Sequence, residues 1–205
     1  MEPDQAGWKT GMTDIAVQKA AQGGPETRIV AGLGQRSVVL VGMMGAGKSS
    51  IGRRLAARLD IPFVDADSEI EIAAGMTIPE IFARHGEPYF RAGEARVIAR
   101  LLDGGPQVLA TGGGAVMDAR TRELIAAKGI SVWLKADVEV LLRRIKRRGE
   151  RPLAGHLASL LPMREPYYAL ADLTVQSREE PHEDIVGELI SGLAGKLGIA
   201  AGDLP

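Results

Sequence analysis

Residues 38–50 read VVLVGMMGAGKSS, and this stretch decides the fold. An apolar, largely β-branched run, Val38-Val39-Leu40-Val41, stops at Gly42. From there Gly42-x-x-x-x-Gly47-Lys48-Ser49 satisfies the P-loop pattern at every fixed position. Phosphates are bulky, anionic and rich in acceptors, so a site for them needs backbone N–H groups that approach without obstruction from a Cβ. Gly42, Gly45 and Gly47 permit such a curved loop, and the helix that follows points its positive end at the anion. Lys48 would reach the β- and γ-phosphates, and the Ser49 hydroxyl would take a position on Mg2+. Beyond the loop, Ile51, Leu55 and Leu59 repeat at helical spacing beside Arg53, Arg54 and Arg58. The motif alone does not separate a kinase from a GTPase, an ATPase motor or a nucleotide-sensing module.

Working outward, the 205 residues fit one α/β domain long enough for a real core, and 45% hydrophobic with 25% charged residues are globular values. A formal net charge of −1 gives no global attraction to nucleic acid or an anionic membrane. The absence of cysteine excludes disulfides and thiolate metal sites and makes a reducing compartment the default. No apolar run reaches membrane-spanning length, and Glu2, Asp4 and Asp14 interrupt the start without an apolar stretch between them. No signal peptide is therefore expected, and the cytoplasm is the expected location.

Residues 1–35 read as a flexible extension with a short helix over 14–21, residues 36–198 as a single domain, and 199–205 as a tail. Further strands are expected at 61–64, 108–111, 131–134 and 173–175. Helices are expected at 68–74, from the Thr77-x-x-Glu80 capping box to Gly86, from Pro88 to about 102, at 119–128, 138–148 and 185–197. A helix with Pro162 and Pro166 near its middle follows a loop, or lid, at about 149–158. The alternation predicts an α/β three-layer sandwich of the P-loop NTPase type: a five-stranded parallel sheet with helices on both faces and a mobile lid. Ligands of such sheets gather beyond the carboxyl ends of the strands, which places 42–49, 65–67 and 112–114 along one edge.

Asp65 and Asp67 close the second strand two residues apart, which on an extended chain points both carboxylates the same way. One would hold the Mg2+–water shell and the other would accept a proton from a substrate hydroxyl. The competing use is capping of the next helix by Asp67 or Ser68. Gly112-Gly113-Gly114 lets a small ligand lie against main-chain N–H groups, with Thr111 supporting the loop or a metal-bound water. Arg91 stands between Glu87 and Glu94, either as an ordinary surface pair or as a guanidinium held rigid for a substrate carboxylate. Arg143, Arg144, Lys146, Arg147, Arg148 and Arg151 form the densest basic cluster, part of it a solvated helix face. Arg151 lies in the loop, where it can close over a γ-phosphate. Without interleaved aromatics the cluster does not read as a nucleic-acid site. Arg164 has Glu165 and Asp172 as candidate ion-pair partners. His85, His156 and His182 have no metal spacing.

Taken together, the P-loop, Val64-Asp65-Ala66-Asp67, Phe90-Arg91-x-x-Glu94, Gly112-Gly113-Gly114, Arg151-Pro152-Leu153 and Arg164-x-x-Tyr167-Tyr168 resemble the shikimate kinase family over about 37–181. The resemblance implies transfer of the ATP γ-phosphate to the 3-hydroxyl of shikimate, on the route to chorismate and the aromatic amino acids. It implies Asp67 as base and contact to the substrate hydroxyls, and Arg91 and Arg164 on the substrate carboxylate. The Gly112, Gly113 and Gly114 loop would complete the substrate site, Gly113 through its backbone. Lys48 and Arg151 would act on the transferring phosphoryl group, and Ser49 and Asp65 would serve Mg2+. ATP would lie on Gly45, Ala46, Gly47, Lys48, Ser49 and Ser50, with adenine between Pro181 and Arg147 or Arg148. The expected partners are ATP and shikimate, for a monomer with no nucleic-acid or membrane partner. The rival readings are a kinase for gluconate, another hydroxy acid or a nucleoside, and a P-loop binding module without turnover.

Overall fold

Five parallel strands form one sheet in the order β2-β3-β1-β4-β5, with β1 (Ser37–Val41) at its centre. β3 (Val108–Ala110) and β4 (Gly129–Lys135) flank it, and β2 (Phe63–Asp65) and β5 (Leu173–Gln176) are the edges. Val38 pairs with Val108 on one side and Ile130 on the other, so β1 is buried along its whole length and its residues are apolar almost without break. The computed structural model describes residues 23–147, 157–178 and 181–199.

The helices are α1 (Pro25–Leu33), α2 (Lys48–Leu59), α3 (Ala66–Ala74), α4 (Ile78–Leu102), α5 (Ala119–Lys128), α6 (Val138–Arg147), α7 (Leu157–Tyr168) and α8 (His182–Lys196). α2 follows the phosphate loop, buries Ile51, Leu55 and Leu59 and leaves Arg53, Arg54 and Arg58 exposed, as its spacing predicts. These buried side chains join Leu40, Leu109, Leu134 and Leu189 in one core. Each fully buried Leu or Ile there stabilises the fold by about 1.5–3 kcal/mol. A second, smaller cluster, Ile70, Ile81 and Phe90, ties α3 to α4. α4 carries the capping box at Thr77 and Glu80 and breaks at Gly86 (φ 78°, ψ 173°), so both helices expected from the sequence are present as two arms of one bent element.

Three boundaries differ from expectation. The supposed flexible extension contains α1, whose Ile29 and Leu33 are fully buried against the main core. Gly24 and Pro25 look like pattern breakers in sequence, but Pro at the first helical position starts a helix. The helix expected over 14–21 lies outside the described residues. Leu157, placed in the lid by its sequence position, opens α7 and is fully buried. Asp65, rather than Asp67 or Ser68, caps α3: its carboxylate accepts from the Asp67 N–H at 3.1 Å. Asp67 therefore sits in the first helical turn and not on an extended chain.

Candidate active site

The carboxyl ends of β1, β2 and β3 are neighbours in the sheet, and each opens into one wall of a single site. β1 leads into the loop 42–47, where Gly45 (φ 83°) stands so close to α6 that a Cβ would lie 3.1 Å from the Leu141 carbonyl oxygen. Lys48 Nζ donates to the carbonyls of Gly42 (2.8 Å) and Met43 (3.0 Å), so the lysine arches back over the loop it is meant to serve. Ser49 and Ser50 follow in the first turn of α2. The Ser49 hydroxyl donates to Asp65 Oδ2 at 2.7 Å, joining the start of α2 to the end of β2.

This hydroxyl–carboxylate pair suits a hard divalent cation that keeps water and phosphate oxygens in its remaining positions. Among the described residues no cluster of three or more His, Cys, Asp or Glu forms an all-protein metal cage. His85 stacks on Tyr89 with ring centroids 4.5 Å apart, and His156 lies outside the described residues.

β3 ends at Ala110, and the buried Thr111 hydroxyl donates to the Leu40 carbonyl at 3.1 Å, anchoring the glycine run to the central strand. The three glycines then act as a ruler. A Cβ on Gly112 would lie 2.8 Å from Asp67 Oδ1 and 2.7 Å from Glu94 Oε1. One on Gly113 would lie 3.5 Å from Arg164 Nη1, and one on Gly114 would lie 2.5 Å from Arg91 Nη1. Consecutive Cα atoms are ~3.8 Å apart, so a carboxylate and two guanidinium groups converge along a span of roughly 7.6 Å. Asp67, Arg164 and Arg91 thus stand against Gly112, Gly113 and Gly114 in turn.

Arg91 is gripped from both sides: Nη1 donates to Glu94 Oε2 at 2.7 Å, and Nη2 and Nε donate to Glu87 Oε1 at 3.1 and 3.2 Å. Glu94 is 3% exposed, and its Oε1 has no hydrogen-bond partner among the described residues. Burial pushes the Glu94 carboxyl above its ordinary range, the Asp67 charge adds to this, and Arg91 and Arg164 oppose it. Arg164 does not pair with its neighbours in sequence. Glu165 pairs with Lys135 at 3.0 Å and Asp172 with Lys196 at 2.8 Å. Arg164 turns instead toward Gly113 and Met43.

Two residues of the site carry signals that are weak in sequence. Tyr168 is buried, and its hydroxyl donates to the Gly113 carbonyl, holding the glycine loop from below. Burial raises its phenol to about 12, partly offset by Arg164 and Arg91, so it stays a donor. The sequence signals it through the Arg164-x-x-Tyr167-Tyr168 motif and its spacing four residues after Arg164 on a helix. Arg144, one member of the basic cluster, leaves the solvated face: Nη1 donates to Ser177 Oγ at 2.8 Å and approaches the Gly45 and Ala46 carbonyls at 3.4 Å. Pro181, the residue before α8, is exposed. Arg148 and Arg151 lie outside the described residues.

A parallel sheet of this order, a phosphate-loop sequence on its central strand, and two guanidinium groups with a carboxylate at the neighbouring strand end are features of a P-loop phosphotransferase. Comparison with known proteins narrows the class. Residues 44–194 match the family described as shikimate kinase. The chain is 62% identical to a shikimate kinase of Bradyrhizobium diazoefficiens over 91% of its length and 92% of that protein. It is 59% identical to one of Rhodopseudomonas palustris, covering 89% of this chain and 93% of the relative. The solved shikimate kinase of Acinetobacter baumannii in complex with shikimate superposes with a TM-score of 0.75 at 38% identity, over 79% of this chain and 94% of that one. The chain belongs to the shikimate kinase family.

Proposed function

We propose that this chain transfers the terminal phosphoryl group of ATP to the 3-hydroxyl of shikimate, with its own residues divided between three tasks. The observation that supports this is the glycine run, against which Asp67, Arg164 and Arg91 stand in turn, a spacing that suits a six-membered ring acid. Arg91 and Arg164 would bind the carboxylate of the acceptor, and the rigid Glu87–Arg91–Glu94 grip lowers the entropy lost on binding. Asp67 would take the proton of the attacking hydroxyl as its oxygen bonds to the γ-phosphorus and the bond to the departing ADP oxygen breaks. Lys48 would leave its carbonyl partners for the phosphates, and Arg151 would neutralise the transferring group.

The nucleotide's phosphates would lie on residues 45–50. Ser49 and Asp65 would hold Mg2+, whose charge would offset that of the phosphates. On the adenine side, Pro181 and a basic residue, Arg147 or Arg148, would flank the base. The chain supplies every residue of this site itself, which supports a monomer. Among the described residues no helix is long and apolar enough to cross a membrane; the cytoplasm is the location proposed.

ADP release measured with ATP and Mg2+ across shikimate, gluconate, nucleosides and no acceptor tests the assignment. Shikimate-dependent turnover is expected, and turnover indifferent to shikimate would end it. Two guanidinium groups facing one pocket favour a carboxylate over a nucleoside, and an acceptor pocket with its own carboxylate has no use in a non-catalytic module.

A further inference from the structure

Ser177 stands one residue past the end of β5, is 1% exposed, and has no part in the roles above. Its backbone N–H donates to the Lys135 carbonyl at 2.6 Å, continuing the β4–β5 ladder and fixing where the hydroxyl stands. From that fixed point Oγ donates to the Ala46 carbonyl at 2.7 Å, across the chain from β5 to the phosphate loop. The same oxygen accepts from Arg144 Nη1 at 2.8 Å, and Arg144 Nη2 donates to the Arg178 carbonyl. The hydroxyl proton is thereby directed: with the lone-pair side taken by the guanidinium, the hydrogen is left for Ala46.

The consequence follows from peptide geometry. A trans peptide is planar, and its C=O and N–H point in opposite directions. Whatever holds the Ala46 carbonyl outward therefore aims the Gly47 N–H inward, toward the concave side of the loop. A loop that binds an anion through its N–H groups must keep its carbonyl oxygens turned away, because an inward-turned oxygen would set partial negative charge against the phosphates. Ala46 is fully buried, so solvent does not perform this task, and Arg144 Nη1, at 3.4 Å from the same carbonyl, is a longer contact than the 2.7 Å bond from Ser177. The Gly45 carbonyl, approached by the same Arg144 nitrogen, is held on the same outer side.

We propose that Ser177 is a positioning residue of the phosphate cradle: its hydroxyl locks the Ala46–Gly47 peptide in the orientation that binds nucleotide phosphates. The proposal rests on reading residues 42–49 as that cradle. It touches neither the acceptor nor the transferring group, so its signature is a split between the two substrates.

The test measures ADP affinity by titration calorimetry, the KM values for ATP and shikimate, and the thermal midpoint, for Ser177→Ala, Ser177→Cys and Ser177→Thr. Loss of one well-aimed hydrogen bond predicts about tenfold weaker ADP binding and a matching rise in the ATP KM for Ser177→Ala. The shikimate KM should stay within about twofold, since the acceptor wall is untouched. Ser177→Cys keeps nearly the same shape with a poor donor and should fall between, which covers the case in which the alanine variant does not fold. Ser177→Thr retains the donor and should restore ADP affinity. Unchanged ADP affinity in the alanine and cysteine variants, or an equal rise in both KM values, would overturn the proposal. Lys48→Met, run alongside, separates the two levels. If it keeps normal turnover the cradle reading itself fails; if it loses turnover while the Ser177 variants bind ADP normally, only the role of Ser177 falls.

Discussion

The Arg91 guanidinium lies flat against the bare backbone of Gly114, its Nη1 and Nη2 only 2.5 and 2.6 Å from where a Cβ would stand. Glu94 holds it there from behind. The atoms that a methyl group would meet belong to a side-chain end and not to the backbone, so the fold can absorb it while the binding site cannot. Gly114→Ala is therefore expected to raise the shikimate KM by ~10–100-fold, since an ångström of misplacement in a positioning group costs that order. The thermal midpoint should change little. Steady-state kinetics beside a melting curve checks this, and an unchanged KM would remove Arg91 from the carboxylate site.

Asp67 faces Gly112 from the first turn of α3, a place where a carboxylate also stabilises a helix by its charge alone. The two roles separate in Asp67→Asn. A base required in the transition state predicts a fall in kcat of roughly a hundredfold or more at saturating shikimate. A helix-terminus charge predicts a lower melting temperature with kcat nearly intact. That second result would return Asp67 to structure.

What the sequence revealed and what it hid divide along a physical line. The strand–loop–helix around Lys48, the capping box at Thr77 and the break at Gly86 are local: each is decided by residues within one turn of one another, and each stands where the pattern places it. Asp65 and Asp67 were legible as a pair, but their shared direction came from an extended geometry that α3 does not have. Arg144 and Ser177 were not legible as parts of the site, because their roles depend on contacts across 33 to 131 residues of chain, and Tyr168 was legible as part of a motif but not as the donor to Gly113. α1 was hidden by its own start signal, since glycine and proline mark both a loop and the first turn of a helix.

Glu94 gives the site a pH signature. Its carboxyl is raised above its ordinary value chiefly by burial, so the folded state disfavours its ionised form. Stability contributed by the neutral group is present below the unfolded value of about 4.3 and is lost as pH rises through the folded one. Glu94→Gln lacks this titration. The wild type should therefore lose stability relative to Glu94→Gln as pH is raised from about 4 toward neutrality. Urea unfolding of both proteins at matched pH values measures the difference. A gap that moves in the wild type's favour would show that pairing with Arg91 outweighs burial.

α1 lies outside the span matched by the family, yet it packs on α2, the helix that carries Lys48 at its start. Among the contacts that hold it, two are of unequal worth. The Glu26–Arg58 ion pair, 2.9 Å long, is partly solvated on both sides and contributes ~0–1 kcal/mol. Ile29 is fully buried among core residues, so truncating it leaves a cavity. Ile29→Ala should cost about 2–5 kcal/mol of unfolding free energy, while Glu26→Ala should cost less than about 1. Neither residue reaches the substrates, so kcat and both KM values of the folded enzyme should be unchanged at 25 °C. Equal small losses in the two variants would mean that α1 rests on the domain without supporting it. A loss of ATP affinity in Ile29→Ala, with the protein still folded, would instead make the helix part of how α2 presents Lys48.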